Sequence, residues 1–214
     1  MDQKRFENPH SKDVKKTLLD ILLWQCGYFN DGQSSPQPPE DFFYPRQDGI
    51  YDPGKPTINW INHSTFLATV EDVNILTDPI WGKRCSPVPF VGPKRRHPPA
   101  IAIENLPHID AVVVSHDHYD HLCKASVKKL AKRFPNTLWI APKGLSKWFA
   151  KLGIHNVVEH DWWEQSTHML GKKGVEVTFT AVPSQHFSGR MWWHSNDTHW
   201  AGWVSEFNRP HADN

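Results

Sequence analysis

Between Ser115 and His121 the chain places three imidazoles and two carboxylates in seven residues, in the order Ser-His-Asp-His-Tyr-Asp-His. The largely apolar run Ile109 to Val114 leads directly into this cluster and reads as a buried strand that ends where the polar residues begin. Side chains alternate along an extended segment, so His116 and His118 project to one side and can share a cation. Asp120 and His121 would diverge in a strand. The following segment, Leu122 to Phe134, has apolar residues near helical spacing and predicts a helix, so a turn at Asp120 leans this pair back toward the two histidines. One short loop thus offers ligands to two metals, and its nitrogen and carboxylate donors suit a borderline ion such as zinc.

The elements that must position this loop are short and strand-rich. Strands are predicted at Thr57 to Ile61, Thr65 to Val70 and Val73 to Leu76, joined through Asn62-His63-Ser64 and Glu71-Asp72. Further strands are predicted near Ala111 to Ser115, Leu138 to Ala141, Asn156 to Val158 and Val175 to Ala181, with a second helix from Gly144 to Leu152. This order, with helices between the later strands, indicates an α/β (α+β) sandwich. Upstream, Val14, Leu18, Ile21, Leu22 and Gln25 fall at helical spacing beside Lys12, Lys15 and Lys16, which predicts a basic amphipathic helix over Ser11 to Cys26. Residues Asn30 to Pro56 are rich in Pro, Gly, Asp and Ser and read as an irregular arm. The expected division is therefore an N-terminal helix and arm over 1–56 and a catalytic domain over 57–214.

Composition excludes several classes. With 214 residues and a net charge of +1, the chain has the size of one compact domain and no global bias toward nucleic acid. Its three cysteines are odd in number and far apart, so a reducing, cytoplasmic compartment is expected. No secretory signal or spanning segment is evident, which leaves a soluble or peripheral membrane protein. Lys83, Arg84, Lys94, Arg95 and Arg96, interleaved with prolines, suit a stiff cationic rim that meets a phosphodiester or an anionic lipid surface, with Lys94, Arg95 and Arg96 as substrate contacts. The aromatic residues Phe187, Trp192, Trp193, Trp200 and Trp203 could line an acyl groove or pack in a core.

The pieces INHST, TDPIW, GPKRR, SHDHYDHL and PSQHFSGR, in that order, resemble the metallo-β-lactamase superfamily and, within it, the branch of N-acyl-phosphatidylethanolamine-hydrolysing phospholipases D. The likeness runs from about Thr57 to about Asn208. It implies a zinc-dependent phosphodiesterase with an αββα sandwich and two metal ions, releasing N-acylethanolamine and phosphatidic acid at a phospholipid surface. It assigns His116, His118 and His186 to the first ion, and Asp120 and His121 to the second and to catalysis. It also sets Asp78 beside a metal-binding His and puts His63 near the site as a supporting residue.

The same resemblance implies two further ligands of the second ion, a bridging Asp in a GDT segment and a later His. The sequence stops at Asn214 before either would be reached. Asn196-Asp197-Thr198 mimics the bridging segment but follows His186 too closely, so neither Asp197, His199 nor His211 is expected to serve. The expectation is therefore a sandwich of which the N-terminal half is present, with the first zinc site complete and the second short of a ligand. The inner face of its single sheet would be an exposed apolar patch. A homo-oligomer or another chain could complete it. Alternative functions are a lactonase or soluble-substrate phosphodiesterase on this fold, or a truncated, non-catalytic metal-binding remnant.

Overall fold

Two tight turns determine how the first strands pair. In the computed structural model, β1 (Thr57–Asn62), β2 (Thr65–Val70) and β3 (Val73–Thr77) form an antiparallel meander. Its connections are the dipeptides His63-Ser64 and Glu71-Asp72, which start at φ of 41° and 57°. A two-residue hairpin requires such a left-handed start, because it matches the twist of the flanking strands. The structure describes residues 6–9, 19, 23, 55–88, 90, 92–190 and 196–208.

β4 (Ala111–Val113), β5 (Leu138–Pro142) and β6 (Val157–His160) extend this sheet in the order β1-β2-β3-β4-β5-β6, parallel from β3 onward. Parallel strands are covered on both faces and read as nearly unbroken apolar runs. In β3, β4 and β5 every residue except Thr77 is buried. On one face lie the crossover helices α1 (Lys124–Arg133) and α2 (Ser146–Ala150), which turn Val127, Leu130 and Phe149 onto Leu76, Val112 and Trp139. Helix α1 starts two residues later than its periodicity predicts. The amides of His121 and Leu122 both donate to the His118 carbonyl, at 3.1 and 2.9 Å, so the metal motif ends in a turn of its own.

A second sheet, β7 (Gln165–Leu170), β8 (Val175–Val182) and β9 (Gly202–Asn208), packs on the other face. Val175, Val177 and Phe179 of β8 meet Ile75, Val113 and Ile140 in a second core. The expected exposed inner face is therefore corrected: two sheets are present, and most of that face is covered. Among the described residues of that face, exposure is greatest at the β1 edge. There Ile58, which pairs across Ala68 to Ile75 and so shares their face, is 75% exposed. Sequence reading missed β7 and β9 because strands packed on one face only carry a weak apolar signal. β7 reads Gln-Ser-Thr-His-Met-Leu and alternates between exposed and half-buried positions.

The described elements thus stack as helix, six-stranded sheet and three-stranded sheet, three layers of an αββα architecture. Contacts divide the chain into two compact units, residues 7–45 and the remainder. In the smaller unit only Glu7, Asn8, Pro9, Leu19 and Leu23 are described, the last two as helical. The amphipathic helix over 11–26 and the arm over 30–56 fall almost entirely outside the described residues, as do Trp192, Trp193 and His211. Among the described residues no helix is long and apolar enough to cross a membrane.

Candidate metal centre

Binding crevices of α/β sheets open beyond the carboxyl ends of parallel strands, where the loops are free to present side chains. Here β3 delivers Asp78, β4 delivers Ser115 to His121, and the β1–β2 turn delivers His63. The second sheet contributes His186, four residues beyond the end of β8. Tryptophans lock these loops together. The indole of fully buried Trp200 donates to Ser184 O at 2.9 Å, the Ala201 amide to Ser115 O at 2.9 Å, and Trp203 Nε1 to Val114 O at 2.8 Å. Trp200 and Trp203 are thus core and bracing residues. Phe187 stays 44% exposed with its ring 4.8 Å from that of His118, at the mouth of the site.

His116, His118 and His186 converge: one ligand atom from each lies within 4.8 Å of the others. The Nε2 atoms of His116 and His186 face each other at 2.9 Å. Burial, reinforced by the neighbouring imidazoles, holds the pKa of His116 far below the ordinary histidine value. His118 is lowered as well, by burial and then by His186. Neutral imidazoles with converging lone pairs are what a divalent cation requires, so protons compete little for these nitrogens near neutral pH. A cleft of about 300 Å³, lined by Ser115, Ser184 and Trp200 among others, opens beside His116 and His186. Three protein nitrogens facing open space fit a catalytic zinc ion, which keeps one position for water.

Asp78 controls the orientation of two imidazoles. Its Oδ2 accepts from His121 Nδ1 at 2.8 Å and from Ser115 Oγ at 2.8 Å, and that hydroxyl lies 2.8 Å from His116 Nδ1. His116 therefore donates to the serine, which donates to the carboxylate, and both rings turn Nε2 lone pairs toward the site. Burial lowers the His121 pKa, but the hydrogen bond and charge of Asp78 together with the charge of Asp120 outweigh it, and the net shift is upward. Asp78 is buried at φ 35°, a strained conformation for a residue with a Cβ. It is held there because its amide donates to Val113 O at 3.0 Å and its carbonyl accepts from Thr65 Oγ1 at 2.6 Å.

His63 comes closer to the centre than a supporting role requires. Its Nε2 lies 3.2 Å from Asp120 Oδ2 and 3.3 Å from His121 Nε2, so the three residues form a second convergent cluster. Asp197 belongs to neither cluster. In the basic loop Lys94 and Arg96 are exposed, whereas Arg95 folds back: its guanidinium donates to Gly82 O at 2.6 Å and to Ile80 O at 3.3 Å. Arg95 closes this loop upon itself, while Lys83, Lys94 and Arg96 face solvent.

Two residues that hold the motif loop escaped the sequence reading. Half-buried Arg190 donates from Nε to Asp117 O at 2.7 Å and from Nη2 to Leu122 O, with its guanidinium over the rings of Tyr119 and Trp148 at 4.8 Å each. Asp117 Oδ1 accepts from the Gly189 amide at 2.7 Å. The sequence signal was the charged Arg190 close behind His186, but nothing in spacing alone shows that a guanidinium reaches back across about seventy residues.

Comparison with known proteins agrees with this geometry. Residues 73–212 match the family model described as the β-lactamase superfamily domain. The N-acyl-phosphatidylethanolamine-hydrolyzing phospholipase D 1 of Caenorhabditis elegans is 40% identical over 150 residues, 68% of this chain and 42% of that protein. An uncharacterized protein of Mycobacterium tuberculosis is 40% identical over 192 residues, 87% of this chain and 48% of that protein. The chain spans less than half the length of these curated relatives. Among solved structures, the diiron β-hydroxylase CmlA of Streptomyces venezuelae superposes with a TM-score of 0.50 at 22% identity, over 73% of this chain and 28% of that one, a likeness of fold alone. With its strand-end His-x-His-x-Asp-His loop, its stacked sheets and a family match over most of its length, this chain belongs to the metallo-β-lactamase superfamily.

Proposed function

We propose that the chain carries the metal-binding part of a zinc-dependent phospholipase D acting on N-acyl-phosphatidylethanolamine, which it cleaves to N-acylethanolamine and phosphatidic acid. The observation that carries this reading is the convergence of His116, His118 and His186 on one point beside an open cleft. The substrate class rests on the 40% identity to the Caenorhabditis elegans enzyme. When bound, zinc supplies Lewis acidity to a phosphoryl oxygen and acidifies a water. His116 and His118, whose pKa values burial lowers, stay neutral to bind the cation beside His186, and Asp78 fixes the tautomers of His116 and His121. Asp120 and His121 belong to the adjacent cluster with His63, where the His121 ring lies 4.0 Å from that of His116, and from there they would orient the attacking water. Lys94 and Arg96 offer exposed cations to the phosphate or to an anionic lipid surface, and Phe187 offers an apolar surface at the mouth.

The test is release of N-acylethanolamine from vesicles that contain N-acyl-phosphatidylethanolamine, with purified protein loaded with zinc. Release that falls as salt screens Lys94 and Arg96 is expected. Hydrolysis of a lactone without cleavage of any phosphodiester overturns the proposed reaction.

A further inference from the structure

His63 is not needed to support its neighbours, because His121 already has an orienting partner in Asp78 and Asp120 stands on the motif loop. Yet the hairpin turn aims its ring at both. It sits at φ 41°, and its own carbonyl is pinned by a hydrogen bond from Trp60 Nε1 at 2.9 Å. Its Nε2 and that of His121 are 3.3 Å apart, and its separation from Asp120 Oδ2 is 3.2 Å. The remaining edge, His121 Nε2 to Asp120 Oδ2, is 3.8 Å.

These lengths have a specific meaning. Two ligands at about 2.0–2.1 Å from a tetrahedral zinc stand about 3.3 Å from each other. Because His121 Nδ1 is taken up by Asp78, Nε2 is the nitrogen left to face His63 and the shared centre. With the His63 imidazole and the Asp120 carboxylate the cluster offers two nitrogens and one carboxylate oxygen, a donor set found in zinc sites with an open position.

We propose that His63 is the third protein ligand of a second divalent cation, held with Asp120 and His121, so that both metal positions are furnished within this chain. This rests on the reading that His116, His118 and His186 hold the first ion, and it replaces the expectation that the second position lacks a third ligand here.

The experiment is a calorimetric titration of the metal-free chain with zinc alone, read as bound equivalents and not as activity. Wild type should take up two equivalents, His63→Asn one, and His186→Asn one. Asparagine tolerates the left-handed turn at position 63 while removing the imidazole, so circular dichroism and the melting profile of this variant should match wild type. Loss of an outer partner of a ligand already weakens metal sites 10- to 100-fold, so loss of the ligand itself should weaken the second equivalent by more than about 100-fold. A wild-type readout needs no variant: the second zinc equivalent should protect half-exposed His63 from carbethoxylation by diethyl pyrocarbonate, mapped by peptide mass. Two tight equivalents in His63→Asn, or unchanged modification of His63, overturn the proposal. A single wild-type equivalent that is lost in His186→Asn overturns it while the first site stands; no bound zinc at all overturns both.

Discussion

The two clusters are neighbours built by opposite strategies. His116, His118 and His186 join residues up to 70 positions apart, from two different sheets, and His116 is only 4% exposed. His63, Asp120 and His121 come from a hairpin turn and the motif loop of the first sheet, and the His63 and Asp120 side chains are 51% and 41% exposed. The first is an all-imidazole cluster, from buried His116 to exposed His186, whose geometry depends on sheet-on-sheet packing. The second includes a carboxylate and depends on local turns and one buried bond. The contrast teaches that a single seven-residue motif can feed one site closed by a distant sheet and another closed by a local turn.

The largest effect should come from breaking the cluster that spans both sheets. His186→Asn removes the one ligand supplied by the second sheet and leaves the motif loop intact. If the proposed reaction runs at this centre, phosphodiester hydrolysis should fall at least about 1000-fold, the equivalent of the several kcal/mol that a metal contributes to the transition state. Thermal unfolding of the metal-free variant should be nearly unchanged, because position 186 lies in a loop. A variant that keeps more than a few per cent of the wild-type rate would show that sheet-on-sheet convergence is not what makes the site reactive.

Asp78→Asn sharpens the comparison, since this residue reaches His121 directly and His116 only through Ser115. Asparagine keeps the left-handed turn but presents an amide that can donate where the carboxylate only accepts. Zinc affinity should fall about 10- to 100-fold, more at the cluster containing His121 than at the one containing His116. Equal losses at both would mean that the serine relay transmits as strongly as the direct bond.

How much of this was legible beforehand follows from the range of each interaction. The hairpins, the buried parallel strands and the His116–His121 loop are written in contiguous residues, through alternation and turn residues, and the structure shows them within one or two residues of expectation. The second sheet was half invisible: β8 carries Val175, Val177 and Phe179, but β7 and β9 pack one weak face and show no apolar stripe. Arg190 and Ser115 were unreadable because their roles exist only once distant loops meet. His63 was recognised as near the site, but its level with Asp120 depends on a backbone angle that no residue pattern specifies.

Acid should separate the clusters least sharply but in a definite direction. His116 and His118 have lowered pKa values, so below about pH 6.5 the unfolded chain binds protons that the folded chain refuses, and stability is lost as pH falls through that value. His121 has a raised pKa, so its contribution is full below the unfolded value and is lost as pH rises through the folded one. The buried pair outnumbers it, and His160 and His199 are lowered in the same sense, by burial first. Each fully neutral histidine contributes about 1.4 kcal/mol per pH unit below its unfolded value. Urea unfolding of the metal-free chain should therefore show roughly 2 kcal/mol less stability at pH 5.5 than at pH 7.5. His116→Asn should reduce that difference, whereas His121→Asn should increase it. The opposite ordering would mean that the carboxylate behind His121, and not the burial of His116, governs how the centre responds to protons.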